Sequence, residues 1–251
     1  MDLKLTNKTA LVLASSDGLG KAIAQELANE GANVMIASRN EQKLIKAAQQ
    51  IKLTATGKVD YTAFDQTSKK DIEHLIKQTQ QKFGKIEILV NNSGGPKSGH
   101  FEELDEQDWQ EAYELTLLSY IRIIRAALPD LKATKGRILN NTSSSVKEPI
   151  DGLTLSNVFR MGISGLSKTL SQELATDGIL VNTIGAGRFN TERLRSLHPQ
   201  DNDSNLQNQI PIGRSGEPDE FAKVATFLVS GANTYMTGQT ILLEGGLVKA
   251  F

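Results

Sequence analysis

The sequence predicts an α/β fold in which one Rossmann-type domain is built on a doubly wound parallel sheet of about seven strands. Short apolar runs alternate with longer helical patterns along all 251 residues. Several runs are continuous rather than alternating in polarity, which is typical of strands covered by helices on both faces. No shift in composition marks a domain boundary, so we expect residues 1–251 to form a single domain.

The predicted strands are the apolar runs that are too short for helices and rich in Val, Ile and Leu. Strand–helix alternation predicts βαβ units with right-handed crossovers between them. The seven predicted strands are residues 9–14, 33–37, 59–64, 86–90, 137–140, 179–184 and 240–243.

Helical spacing fills the intervals between the strands. Leucine and isoleucine recur every four residues from Leu19 to Leu27, and Gly31 provides a stop. Ser68, with an aspartate three residues later, predicts the start of a helix that ends at Gly84. Residues 155–174 keep helical spacing for about five turns.

Composition excludes several classes of function. The 28 basic and 29 acidic residues nearly cancel, which argues against a nucleic-acid-binding surface and against a polybasic membrane surface. The absence of cysteine excludes disulfides, thiolate metal sites and cysteine nucleophiles. The three histidines are widely spaced and predict no metal site. No segment is apolar and long enough for a signal peptide or a membrane span, so we expect a cytoplasmic protein.

A glycine-containing turn follows the first predicted strand and opens the first helix, over residues 14–20. Glycines at such a turn let the backbone approach a pyrophosphate, and the helix N-terminus presents free amides to it. A plain tight turn is the alternative interpretation. The residues expected to hold the phosphates are Ser15, Ser16, Gly18, Leu19 and Gly20.

Polar residues at the ends of the next three strands support a dinucleotide site, because ligands of open α/β sheets bind at strand carboxyl ends. The second strand ends at Ser38 and Arg39, which favour the 2′-phosphate of NADP(H) over the bare ribose of NAD(H). A solvated surface arginine is the alternative for Arg39. The other expected cofactor contacts are Asp65, Gln66, Asn91, Ser93 and Gly94.

Taken together, these segments resemble the short-chain dehydrogenase/reductase family, and within it the 3-oxoacyl-(acyl carrier protein) reductase-like members. The resemblance spans Leu5 to Gly246, and residues 91–94 match the family's Asn-Asn-Ala-Gly with serine in place of alanine. It implies a single NAD(P)-binding domain, a substrate loop or lid around residues 188–215, and assembly as a homotetramer or homodimer. It also implies that Gly187 and Thr191 cap the nicotinamide.

The resemblance fails at the catalytic residues. The family uses Asn, Ser, Tyr and Lys, and the serine corresponds to Ser143. The family's spacing then places Ser156 at the tyrosine position and Arg160 at the lysine position, while Thr116 takes the asparagine position.

These substitutions leave the proton donor undefined. A serine hydroxyl is a much weaker acid than a phenol, and arginine does not deprotonate in proteins, although Arg160 could still hold the nicotinamide ribose. Lys147, if desolvated beside Arg160, is one candidate donor; the alternative is an exposed lysine paired with Glu148. Tyr120 lies in an apolar run and is expected in the core or an interface rather than in catalysis.

Two interpretations follow, both with a small molecule rather than nucleic acid or membrane as partner. The first is an NADP(H)-dependent oxidoreductase that reduces a carbonyl or oxidises an alcohol through Ser143, Ser156, Arg160 and Lys147. The second is a catalytically silent NADP(H)-binding sensor or scaffold subunit. In the first turn, Leu13 and Ala14 replace the Thr and first Gly of the family pattern, which also leaves room for a relic of the fold that binds a different ligand.

Overall fold

A computed structural model describes residues 1–197 and 208–250. Within these ranges, seven strands form one parallel sheet with the order β3-β2-β1-β4-β5-β6-β7. The strands are β1 (Thr9–Leu13), β2 (Asn33–Ser38), β3 (Val59–Ala63), β4 (Ile88–Asn91), β5 (Arg137–Ser143), β6 (Leu180–Ala186) and β7 (Thr240–Leu243).

The helices of the described ranges connect these strands and cover the two faces of the sheet. They are α1 (Gly18–Asn29), α2 (Glu41–Lys52), α3 (Lys69–Phe83), α4 (Glu106–Ala112), α5 (Ser119–Thr134), α6 (Thr154–Glu173), α7 (Glu192–Leu197) and α8 (Pro218–Val229). A π-helical turn, Tyr113–Leu118, joins α4 directly to α5.

Two hydrophobic clusters lie on opposite faces of the sheet. On β1, Val12 belongs to the cluster formed with α1, α2 and α8, whereas Leu11 and Leu13 belong to the cluster formed with α3 and α5. All three side chains are fully buried. Burying a leucine or valine of this kind contributes about 1.5–3 kcal/mol. The continuous apolar run of β1 is therefore explained by helices on both sides.

The predicted fold class is confirmed, and each predicted strand is found within three residues of its expected ends. The turn at 113–118 was not predicted, because a shift in backbone hydrogen bonding leaves no mark on the apolar spacing. Of the predicted loop 188–215, residues 198–207 lie outside the described residues. No helix in the described part of the chain is long and apolar enough to cross a membrane.

Candidate active site

A cavity of about 740 Å³ opens at the carboxyl ends of the central strands. It lies where the strand order reverses between β1 and β4, which is the usual ligand position in an open α/β sheet. The cavity brings together nine of the residues that the sequence predicted: Gly18, Leu19, Ser93, Gly94, Ser143, Ser156, Arg160, Gly187 and Thr191.

The turn between β1 and α1 forms one wall of this cavity. Ala14 and Gly18 have left-handed φ angles of 45° and 54°, which turn the chain sharply into the helix. A Cβ atom at Gly20 would lie 2.4 Å from the Ala14 carbonyl oxygen and 2.7 Å from Asn92 Nδ2. Only glycine allows α1 to approach the turn this closely, so its positive N-terminal end lies at the cavity.

Two serines of this turn do not line the cavity. The buried hydroxyl of Ser15 donates to the Val12 carbonyl at 2.6 Å and accepts from the Ala37 amide at 2.9 Å. Ser15 therefore connects β1 to β2. Ser16 is half-buried and makes no side-chain hydrogen bond within the described ranges.

The predicted adenosine side lies beyond the cavity, at the ends of β2 and β3. Ser38 Oγ is buried and has no hydrogen-bond partner in the described chain. Arg39 is exposed and pairs with no described residue. Asp65 accepts hydrogen bonds from the Thr67 amide and hydroxyl. Gln66 is buried and donates to a main-chain carbonyl just before α5, so these last two side chains also stabilise the fold.

At the end of β4, two asparagine side chains stabilise the fold and one glycine lies beside open space. Asn91 is fully buried and donates to the Asn140 side chain at 2.7 Å, which holds β4 against β5. Asn92, which the sequence analysis did not single out, donates to the Ala14 carbonyl and accepts from Asn141. A Cβ atom at Gly94 would meet nothing within 4 Å, so there is open space beside this backbone.

Three of the four predicted catalytic residues line the cavity and form what we call its floor: Ser143, Ser156 and Arg160. Ser143 Oγ accepts from the Ser145 amide at 3.1 Å, and Ser156 Oγ accepts from Arg160 Nε at 3.1 Å. Ser156 and Arg160 are only 7% and 8% exposed. No carboxylate pairs with Arg160 in the described ranges. A buried, unpaired cation is costly, so this position is suited to an anionic ligand or to developing negative charge.

The expectation that Lys147 is desolvated beside Arg160 is not supported. The short 3₁₀ helix Ser144–Val146 buries its own three residues and leaves Lys147 exposed at its end. Lys147 is not among the described residues that line the cavity. Glu148 does line it, but accepts from the Lys249 amide rather than pairing with Lys147.

Tyr120 is buried, as expected, but it lies beside the site. Its hydroxyl donates to the Asn141 carbonyl at 2.9 Å, and Asn141 lines the cavity. Burial raises the pKa of the phenol, while the charge of Arg160 and the hydroxyl of Ser93 lower it. Because Tyr120 lies in an apolar run, the sequence analysis did not place it beside the site. The signal in the sequence was that Tyr120 follows Thr116 by one helical turn.

Further charged residues that the sequence analysis did not select also line the cavity. Asp17 caps α1 by accepting from the Gly18 amide at 2.7 Å. Arg193 donates to the Pro96 carbonyl at 3.1 Å, and its pKa is lowered by desolvation and by the nearby Arg160 charge. Arg188 donates to Gln209 at 2.8 Å. The cavity mouth is therefore rich in charge of both signs.

Comparison with known proteins identifies the family. A family profile described as enoyl-(acyl carrier protein) reductase matches residues 13–248. The dehydrogenase/reductase SDR family member 4 of Caenorhabditis elegans is 34% identical over 250 residues, covering 97% of this chain and 96% of that protein. The chain belongs to the short-chain dehydrogenase/reductase family. The 3-oxoacyl-(acyl-carrier-protein) reductase FabG of Thermotoga maritima is 32% identical over 250 residues, covering 98% of this chain and 100% of that enzyme.

Solved structures of other oxidoreductases share the whole fold. L-sorbose reductase from Gluconobacter frateurii, complexed with NADPH and L-sorbose, superposes with a TM-score of 0.94 at 28% identity and full coverage of both chains. An NADPH-bound short chain oxidoreductase from Pseudomonas aeruginosa PAO1 superposes with a TM-score of 0.92 at 26% identity, covering 98% of this chain and 99% of that one. That enzyme contains an atypical catalytic center. The predicted resemblance is confirmed, and the chain is a member of a family of oxidoreductases.

Proposed function

We propose that this protein is an NADP(H)-dependent oxidoreductase of the ketoreductase or alcohol dehydrogenase type. It transfers hydride to or from a carbonyl or hydroxyl group of a small-molecule substrate. The observation that carries this proposal is a single cavity that joins the glycine turn of β1–α1 to Ser143, Ser156 and Arg160.

The residues present fit a phosphorylated dinucleotide. The turn needs Gly20 for close approach of α1, and open space lies beside Gly94. The hydroxyl of Ser38, which has no partner in the described chain, and the guanidinium of Arg39 suit a 2′-phosphate. Neither of these two positions holds a carboxylate that could accept hydrogen bonds from the hydroxyls of an unphosphorylated ribose. NADP(H) is therefore preferred over NAD(H). The two solved relatives described above hold NADPH.

The floor of the cavity provides groups that act on a substrate oxygen. When bound, the nicotinamide supplies or accepts the hydride. The hydroxyl protons of Ser143 and Ser156 remain available to that oxygen, because each Oγ accepts a hydrogen bond and donates none within the described residues. Arg160 stabilises negative charge that develops there, at the low dielectric of a buried site.

An alternative function is a catalytically silent NADP(H)-binding sensor or scaffold. The observation that favours it is that no described residue lining the cavity is a tyrosine, lysine or histidine. Loss of a general acid typically costs about 10²–10⁴ in rate. The two functions share the same cofactor site and differ only in turnover.

Two measurements separate these functions. Fluorescence titration with NADPH and NADH tests the cofactor, and loss of NADPH absorbance with a panel of ketones, ketoses and 3-oxoacyl thioesters tests turnover. We expect tight NADPH binding, weak NADH binding and turnover of at least one carbonyl. Binding without turnover would favour the sensor, preference for NADH would refute the role of Ser38 and Arg39, and no binding of either would refute both functions.

A further inference from the structure

We propose that Glu148 is a positioning residue that fixes one wall of the substrate pocket. Its carboxylate holds the segment after β7, residues 244–249, against the loop that follows Ser143. The wall formed by these two segments selects carbonyl substrates that carry an apolar chain. This inference rests on the proposed function, and it assigns substrate selection to a hydrogen bond outside the predicted catalytic residues.

The hydrogen bond of Glu148 is the first observation. Its Oε2 atom accepts from the Lys249 amide at 2.7 Å, although the two residues lie 101 positions apart in the sequence. The Glu148 amide in turn donates to the Ser144 carbonyl at 3.3 Å, at the end of the short 3₁₀ helix that Ser143 caps. The carboxylate therefore connects the segment after β7 to the loop that carries the predicted catalytic serine.

The segment after β7 depends on this connection. Residues 247–250 have no regular secondary structure, and the glycines at 245–246 turn the chain with left-handed φ angles of 68° and 84°. The next two amides donate to Glu244, within the same segment. Among the hydrogen bonds of the described chain, the one from Lys249 to Glu148 is thus the one that joins residues 247–249 to a different segment.

Apolar side chains of both connected segments line the cavity. Leu247 and Val248 line it from the segment after β7, and Pro149 and Ile150 line it from the loop after Glu148. A substrate chain placed between them loses contact with water, and each buried methylene group is worth about fourfold in affinity. The wall therefore favours a long apolar chain beside the carbonyl over a short one.

Glu148 acts through the segment that it holds, because its Oε2 atom is already engaged. No lysine or arginine of the described ranges pairs with this carboxylate. A hydrogen bond from an amide to a carboxylate is charge-assisted, and it is stronger than the same bond to a neutral acceptor. Glutamine at this position would keep an acceptor oxygen of similar reach, whereas alanine would remove it.

The first test measures reduction of 2-octanone and 2-butanone with NADPH. The wild type should have the lower KM for 2-octanone. Glu148→Ala should raise that KM by about tenfold, with kcat, the KM for 2-butanone and NADPH affinity changed less than about threefold. Glu148→Gln should recover most of the loss. Glu173→Ala, at an exposed position in the last turn of α6, is the control and should match the wild type.

The second test removes the donor of the same hydrogen bond. Lys249→Pro lacks the amide hydrogen and should reproduce the effect of Glu148→Ala on 2-octanone. The double variant should be no worse than either single variant, because both changes remove one interaction. Ala250→Pro is the matched control, since the Ala250 amide makes no hydrogen bond in the described chain.

The third measurement needs no turnover. Hydrogen exchange of the peptide 244–251, followed by mass spectrometry, should be slower in the wild type than in Glu148→Ala. Glu173→Ala should exchange like the wild type. Equal exchange in wild type and Glu148→Ala would show that the hydrogen bond does not hold this segment, and would overturn the inference.

The kinetic outcomes separate this inference from the proposed function. A Glu148→Ala enzyme with the wild-type KM for 2-octanone overturns the inference, even where its exchange is faster. A wild type that prefers 2-butanone, or that reduces other carbonyls but neither ketone, also overturns it. A wild type that reduces no carbonyl at all refutes the proposed function itself.

Discussion

At the scale of single residues, the proposed preference for NADPH over NADH rests mainly on the guanidinium of Arg39. Arg39 follows β2, is exposed, and pairs with no residue in the described ranges. Its charge is therefore available to a ligand at the strand end. A 2′-phosphate accepts charge-assisted hydrogen bonds from arginine, while an unphosphorylated ribose offers no such anion.

Replacing Arg39 should therefore weaken binding of one cofactor only. In Arg39→Ala we expect the dissociation constant for NADPH to rise by about tenfold or more, since hydrogen bonds to charged groups contribute about 1.5–3 kcal/mol. The NADH constant should stay within about twofold. Arg125→Ala, at an exposed position on α5, is the control and should leave both constants unchanged. Equal losses for NADPH and NADH would show that Arg39 does not contact the 2′-phosphate.

Asp17 places a negative charge beside the proposed pyrophosphate site. Its carboxylate caps α1 by accepting from the Gly18 amide and lines the cavity. It therefore uses an amide, and places a negative charge, where a pyrophosphate would bind. Asp17→Asn keeps the cap and removes the charge, so NADPH binding should tighten by about two- to fivefold at low salt. Isothermal titration at two salt concentrations measures this, and a weaker affinity in Asp17→Asn would contradict it.

At the scale of elements, the strands were predictable and the irregular helix was not. β1 is buried throughout and is apolar from Ala10 to Leu13 because helices cover both faces of the sheet, so such strands can be recognised directly in the sequence. The π-helical turn Tyr113–Leu118 changes the backbone hydrogen bonding just before α5 and leaves no mark on the apolar spacing. Tyr120 was expected in the core or an interface because it lies in an apolar run; it is buried, and its hydroxyl lies beside the cavity.

The candidate site likewise contains some residues that were predictable from the sequence and others that were not. Residues at strand ends and in glycine turns, such as Gly18 and Ser93, were predictable because topology alone places strand ends together. Side chains recruited by long-range hydrogen bonds, such as Asn92 and Glu148, were not, because their partners are far away in the sequence. Lys147 is exposed, the alternative that the sequence analysis left open, because the 3₁₀ helix Ser144–Val146 buries its own residues and ends at Lys147.

The hydrogen bond from the Ala37 amide of β2 to Ser15, just after β1, allows a test of stability at the scale of elements. Ser15→Ala removes the acceptor of the buried Ala37 amide, so we expect a loss of about 1–3 kcal/mol in the free energy of unfolding. Ser16→Ala, at the adjacent position without a side-chain hydrogen bond in the described chain, is the matched control and should change stability by less than about 0.5 kcal/mol. Urea denaturation followed by circular dichroism compares them. Equal stabilities would show that Ser15 does not hold the strands together.

At the scale of the whole molecule, one face carries exposed apolar side chains. Val158 and Met161 on α6 are 48% and 50% exposed, and Phe101 beside α4 is 71% exposed. Trp109 contacts Phe101 and Phe159 edge-to-face, which extends the patch between α4 and α6. Apolar patches of this kind mark association surfaces more often than single exposed side chains do.

A second copy of the chain is therefore expected on this face, as the family resemblance implied. Met161→Asp should shift the protein toward smaller assemblies, because an unpaired charge is costly in an apolar interface. Leu53→Asp, at an exposed position after α2, should leave the assembly unchanged. Light scattering of the three proteins at matched concentration measures this. A wild type that is monomeric at all concentrations would contradict the expectation.

The most direct test of the central claim is a crystal structure of the protein grown with NADPH. We predict that the 2′-phosphate lies on Ser38 and Arg39, that the pyrophosphate lies at the N-terminus of α1, and that the nicotinamide faces Ser143 and Arg160. Clear density for the nucleotide elsewhere, or a first turn and β2 end that stay empty at saturating NADPH, would contradict the account.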